Sequence, residues 1–316
     1  MQKSAKILTL GSWVWLGTIL PLAALPARAE SRLSQLLSRV AEEAEVFQQN
    51  LPNAITREVL EQRTVLPPPR FRPRIGAAAL SALSERLVVR EIVSEYTVAP
   101  LTQAENSSLV EWRQIVSVDG RAIQTAEAAR KTLTLNAKSP DDRLRKRILQ
   151  DFEKYGLVDI ATDYGPILLA FTKRGLSQMS TAEVGAGWVG AEEAIAIHWR
   201  QRSPEGGELA FRGRQVARTP LEGILWVRKS DGLPLRVNVW AEYSDPKHVI
   251  RDEASVDYVV SPHGFLAPAS VVHRHLVDGR LMTENLYLYE PFKLFRAETQ
   301  LKFTDIPEAP PPGKKK

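Results

Sequence analysis

The sequence predicts an α+β protein: a curved antiparallel β-sheet, a half-barrel, with N-terminal and mid-chain helices packed on it. Three observations predict it. From residue 167 onward, candidate strands follow one another across short turns, which is the pattern of an antiparallel meander. Residues 221–240 read as a hairpin, because Asp231-Gly232 is a turn pair suited to positive φ at both positions and alternating apolar residues flank it. Helical patterns are too few to cover two faces of so many strands, so the sheet must curve on itself.

The chain opens on a targeting pattern. Lys3 and Lys6 precede an apolar run at 7–25, broken by Pro21, and Ala27-Arg28-Ala29 is a small-residue cleavage site. This is a secretory signal peptide, cleaved after Ala29, which places the protein in the periplasm or outside the cell. No later run is long and apolar enough to span a bilayer. The formal charge is +5. Lys3, Lys6 and Arg28 leave with the signal and no acidic residue does, so the mature charge is 5 − 3 = +2, which gives no basis for nucleic-acid binding. With no cysteine, disulfides, thiolate metal sites and a cysteine nucleophile are excluded.

Residues 30–63 are expected to be an N-terminal helical segment. Leu33, Leu36, Leu37, Val40, Ala44 and Phe47 form one apolar stripe, and Ile55, Val59 and Leu60 suggest a second short helix over 54–63. Residues 64–86 are a proline-rich linker, extended and basic at its centre. The half-barrel domain is placed at 87–306, with strands at 87–101 and 109–118 and the turn pair Asp119-Gly120 after the second. Helices follow at 124–135 and 139–155, the latter marked by Ser139 at the N-cap, Pro140 in the first turn and Gly156 just beyond its end. Strands are then predicted at 167–172, 191–201, 208–212, 221–229, 233–243, 254–260, 265–277, 280–289 and 298–303, before a disordered basic tail at 307–316.

If Asp231 and Gly232 are the whole loop of the central hairpin, Trp226 faces Val237 and Ile224 faces Val239. Ile224, Trp226, Leu235, Val237 and Val239 then share one apolar face, the expected floor of a ligand site. Trp240 would cover Gly223. His273 and His275 share a face, and a turn at Asp278-Gly279 sets Glu284 opposite His273, a two-histidine, one-carboxylate set of the kind that holds zinc in a hydrolase. Gly185-Ala-Gly-Trp-Val-Gly190 matches a dinucleotide fingerprint in its letters alone, because a strand pattern rather than a helix follows it. No serine elbow is present and no carboxylate pair stands at a catalytic spacing, so neither catalytic residues nor a cofactor are assigned.

Four segments carry a family resemblance. Glu111-Trp-Arg-Gln-Ile-Val-Ser-Val-Asp-Gly-Arg-Ala-Ile123, the strand Arg90-Glu-Ile-Val-Ser-Glu-Tyr96, the region from Glu153 to Phe171 and the hairpin Gly223–Arg236 resemble secreted proteins of acidobacterial type. The hairpin also resembles that of the periplasmic lipoprotein-carrier superfamily, with Arg228-Lys229 where an aspartate is usual. The resemblance implies a curved half-barrel around helices, with an apolar cavity for acyl chains, and it transfers no catalytic residue. The leading expectation is therefore an exported, non-enzymatic protein binding a lipid or lipidated partner on the concave face. An envelope scaffold with a protein partner is the second reading, and a metal-dependent hydrolase at His273, His275 and Glu284 the third.

Overall fold

The computed structural model describes residues 24–68, 85–100, 109–138, 150–160, 162–203, 208–212, 215–244 and 247–295. Fourteen strands are present among them: β1 (Ala54–Leu66), β2 (Arg86–Pro100), β3 (Leu109–Val118), β4 (Arg121–Ala122), β5 (Met179–Val189), β6 (Glu192–Gln201), β7 (Glu208–Arg212), β8 (Gln215–Thr219), β9 (Glu222–Arg228), β10 (Pro234–Ser244), β11 (Val249–Val260), β12 (Leu266–Val277), β13 (Arg280–Tyr289) and β14 (Lys293–Leu294). The helices are α1 (Ala24–Asn50), α2 (Ala126–Lys138) and α3 (Lys173–Ser177), with 3-10 helices at Leu51–Asn53 and Gly165–Phe171, and residues 150–154, the described part of the helix expected at 139–155, are helical too.

Twelve strands form one sheet in the order β4-β3-β2-β1-β13-β12-β11-β10-β9-β6-β5, with β14 pairing β1 off this path. Its pairings are antiparallel throughout. β7 and β8 make a separate hairpin. The sheet is open and strongly bent. Laid flat, β3 and β5 would stand roughly 40 Å apart at the usual strand spacing, yet Leu109 of β3 and Met179 of β5 line the same cleft. The half-barrel expected from the turns and the scarcity of helices is the observed architecture.

The inside of the bend is filled. Helix α1 turns Val40, Ala44 and Phe47 inward, all fully buried, onto a core that includes Leu225, Val237, Val239, Val256 and Tyr258 of the sheet. The 3-10 helix adds Leu168 and Phe171 to the same core. On the outer face, α2 buries Leu133 against a smaller cluster of Ile55, Ala99, Val110 and Trp112.

Two element assignments change. Residues 54–63 are strand, not helix: Ile55, Val59 and Leu60 fit a helical spacing, but the segment completes ladders with both β2 and β13 along its length. The sheet therefore begins at Ala54, inside the segment expected to be helical and linker, and β1 is an interior strand between β2 and β13. The expected strand at 167–172 is instead the end of the 3-10 helix Gly165–Phe171, which has Pro166 in its first turn and Thr172 as its C-cap. The segment before Gly185 is strand β5, and the glycine-rich run makes the β5–β6 hairpin, which rules out the strand-to-helix geometry of a dinucleotide site. The cleavage site's backbone lies within α1, while the rest of the targeting pattern, the centre of the linker, the Ser139 cap, the 298–303 strand and the tail fall outside the described residues.

Candidate functional site

The central hairpin forms, but in another register. Arg228 donates to the Leu233 carbonyl and Gly232 to the Arg228 carbonyl, so the loop is residues 229–232. Gly232 takes φ +73°, the left-handed position such loops give to glycine. A bulge between Pro234 and Arg236 then shifts the pairing, leaving Arg236 opposite Trp226, Val237 opposite Leu225 and Val239 opposite Gly223. A shift of one residue exchanges the faces of a strand. Val237 and Val239 lie in the inner core with Leu225 and Val227, and Leu235, at the bulge, is also buried. Ile224 and Trp226 lie on the outer face, half-buried. The five residues expected to form one floor are thus divided between two faces. Trp226 donates to Asn238 Oδ1 at 2.8 Å and lies against Gly187. Trp199 of β6, not Trp240, covers Gly223. Trp240 lies under the guanidinium of Arg251, 5.3 Å from its ring centre.

A bulge also alters the histidine strand. Val277 pairs with Arg280 as the Asp278-Gly279 turn requires, but an irregularity at His275/Leu276 sets His275 opposite Thr283 and His273 opposite Asn285. Glu284 goes to the outer face, where it accepts from Arg274 at 2.8 Å. The carboxylate beside the histidines is Asp252 of β11, whose Oδ1 accepts from His275 Nδ1 at 2.7 Å and lies 3.3 Å from His273 Nε2. Burial raises the cost of charging Asp252, but the bonds from His273 and His275 outweigh it and hold its carboxyl at about 2. The expected His273, His275, Glu284 set is therefore not assembled, and among the described residues no group of three acidic or histidine side chains is arranged to hold a metal ion.

These residues belong to a polar row on the inner face. Gln62 of β1 accepts from Val158 N at 3.0 Å and donates to Val158 O at 2.7 Å, which fixes the orientation of its amide. The same Nε2 donates to Asn285 Oδ1 at 2.6 Å. Asn285 Nδ2 in turn donates to the Asp159 carbonyl at 2.9 Å and lies 3.1 Å from His273 Nδ1. With a donor facing it, His273 Nδ1 must be the bare nitrogen, and its Nε2–H points at Asp252. Tyr164 stacks on the His273 ring at 5.4 Å.

A second cluster lies further along the same face. Arg113 donates through Nε and Nη2 to the two oxygens of Glu58 at 2.7 and 2.8 Å, and through Nη1 to Glu111 Oε2 at 2.8 Å. Glu111 also accepts from Tyr96 OH, Asp163 N and Gly165 N. Burial pushes the Glu58 carboxyl up despite Arg113 beside it. Burial opposes the Arg113 charge, but Glu111 and Glu58 raise its pKa well above the ordinary arginine value. Tyr96 and Tyr289 are pushed up by burial and then by the neighbouring carboxylates. The sequence hides this cluster because the helical spacing of Ile55, Val59 and Leu60 masks the strand that carries Glu58. The available signal was Glu111 and Arg113 at alternate positions around Trp112, two opposite charges on one face of a strand.

The open side of the sheet holds a cleft of about 340 Å³. Leu109, Pro166, Ile167, Leu169, Ala170 and Met179 supply its apolar wall, and Gln48, Asp163, Thr172, Gln178, Gln201 and Ser203 its polar groups. Gly175, at its edge, admits no side chain, because a Cβ would overlap the Ala170 carbonyl.

No family model matches this sequence, and no curated protein does. Among solved structures, the chain is similar to a DUF1329 family protein from Desulfovibrio piger ATCC 29098, at 9% identity over 83% of this chain and 94% of that one, with a TM-score of 0.36. It is similar to a putative outer membrane lipoprotein-sorting protein domain from Vibrio parahaemolyticus, at 8% identity over 85% and 95%, with a TM-score of 0.30. It is also similar to MucB in complex with MucA(peri), at 12% identity over 83% and 98%, with a TM-score of 0.20.

Proposed function

We propose that this is an exported, non-enzymatic binding protein that takes the apolar part of a lipid or lipidated partner into the cleft on the open side of its curved sheet. The cleft itself carries the reading: its volume of about 340 Å³ falls within the span of small-molecule sites, and an apolar wall of Leu109, Pro166, Ile167, Leu169 and Met179 faces polar side chains that could hold a head group. The concave floor is the weaker candidate, since α1 and the 3-10 helix pack on Val237 and Val239. Export rests on the targeting pattern at 1–29, and no helix among the described residues is long and apolar enough to cross a membrane.

The test is mass spectrometry of lipids co-purifying with the full chain from native membranes, together with binding of an environment-sensitive dye. Ala170→Trp fills the cleft and should abolish both signals while the circular dichroism is unchanged. A wild-type protein that carries no lipid and binds no dye, or an Ala170→Trp protein that behaves like wild type, would sink the proposal.

A further inference from the structure

The inner face holds a length of main chain as a peptide-binding protein holds its ligand. Residues 157–160 and 162–168 lie against the sheet, and several of their backbone groups end on sheet side chains. Gln62 binds both the N–H and the carbonyl of Val158. Asn285 binds the Asp159 carbonyl. Glu111 binds the N–H groups of Asp163 and Gly165. Tyr258 OH donates to the Gly165 carbonyl and accepts from Leu168 N. Such bonds do not depend on the sequence of the chain they hold, so another segment of suitable shape can make them.

We propose that this polar face is a binding site for an extended segment of a partner protein, occupied here by the chain's own residues 157–168. The side chains of this strap define what the partner segment must carry. Leu157 and Tyr164 are buried, and Tyr164 lies on His273, so the segment needs a bulky apolar residue and an aromatic one seven positions later. Glycine must follow the aromatic, since a Cβ at Gly165 would stand 2.7 Å from Glu111 Oε1 and 2.8 Å from Tyr96 OH. Asp159 and Asp163 have φ of +46° and +66°, so aspartate, asparagine or glycine suits those places. The site is independent of the cleft reading and shares only the wall residues Asp163, Pro166 and Ile167 with it.

The full chain carrying Gly165→Ala tests it, because that change wedges the strap away and leaves the sheet side chains intact. A fluorescent peptide with the sequence of residues 157–168 should bind this variant at least about tenfold more tightly than wild type, since the resident strap no longer holds the site closed. Adding Gln62→Ala should remove that gain, as should alanine in place of the peptide's glycine. Should Gly165→Ala fail to fold, Tyr164→Ala is read the same way. The proposal is overturned if hydrogen exchange shows the strap released and the peptide still does not bind. It is equally overturned if the variant fills the site by exchanging straps with a second copy and runs as a dimer.

Discussion

Asp252 stands between two histidines of the neighbouring strand, its Oδ1 accepting from His275 Nδ1 at 2.7 Å and facing His273 Nε2 at 3.3 Å. Its carboxyl is held at about 2, below its ordinary value of 3.8. A depressed folded pKa contributes stability that is complete above the unfolded value and lost as pH falls through the folded one. Asp252 should therefore account for about 2 kcal/mol of the stability lost between about pH 4 and about pH 2. Urea midpoints measured across that span should fall less steeply for Asp252→Asn. Equal slopes for the two proteins would reject the assignment.

Arg113 is the one cation bonded to the buried carboxylates of Glu58 and Glu111 among the described residues. Arg113→Met should cost about 3–5 kcal/mol, because it leaves two carboxylates without a counter-charge. Adding Glu58→Gln and Glu111→Gln should return part of that loss. Chemical denaturation of the single and triple variants decides, and a triple variant no more stable than the single one would contradict the account.

Leu225 and Ile224 are neighbours on opposite faces of β9. Leu225→Ala should cost about 2–5 kcal/mol, since it opens a cavity under α1. Ile224→Ala, on the outer face, should cost under about 1 kcal/mol. The reverse order would restore the register in which Asp231-Gly232 is the entire loop.

Gly223 lies beneath Trp199, and a Cβ there would overlap the Asn238 carbonyl oxygen and stand 2.9 Å from Trp199 Cζ2. Since a backbone carbonyl cannot turn aside as a side chain can, Gly223→Ala should cost about 3 kcal/mol or more. Thermal unfolding of Gly223→Ala and of Gly223→Ala with Trp199→Phe measures it, and the second change should recover little. Full recovery in the double variant would place the strain on Trp199 instead.

Much of the fold was legible in local chemistry. β3 lies at 109–118 as its alternating pattern predicts, and β9, β10 and β13 fall within a few residues of their expected bounds. The turn pairs also appear: Asp119 and Gly120, like Asp278 and Gly279, all have positive φ. The candidate site was much less legible. Gln62, Glu111 and Asn285 lie far apart in sequence, and nothing local shows that they converge on the backbone of Val158, Asp159, Asp163 and Gly165.

The sequence by itself determined that this would be an antiparallel sheet, because strand propensity, alternation and turn residues act over a few neighbouring positions. Tertiary structure decided which way each strand faces. The longer loop and bulge of the 221–240 hairpin, with the bulge at His275/Leu276, moved Trp226 and Glu284 outward and brought Leu225 and Asn285 to the inner face. A bulge forms where packing across the sheet is better with one extra residue, and that balance is struck with strands the local sequence does not contain. It also decided that 54–66 is an interior strand of the sheet, since β2 on one side and β13 and β14 on the other satisfy its backbone.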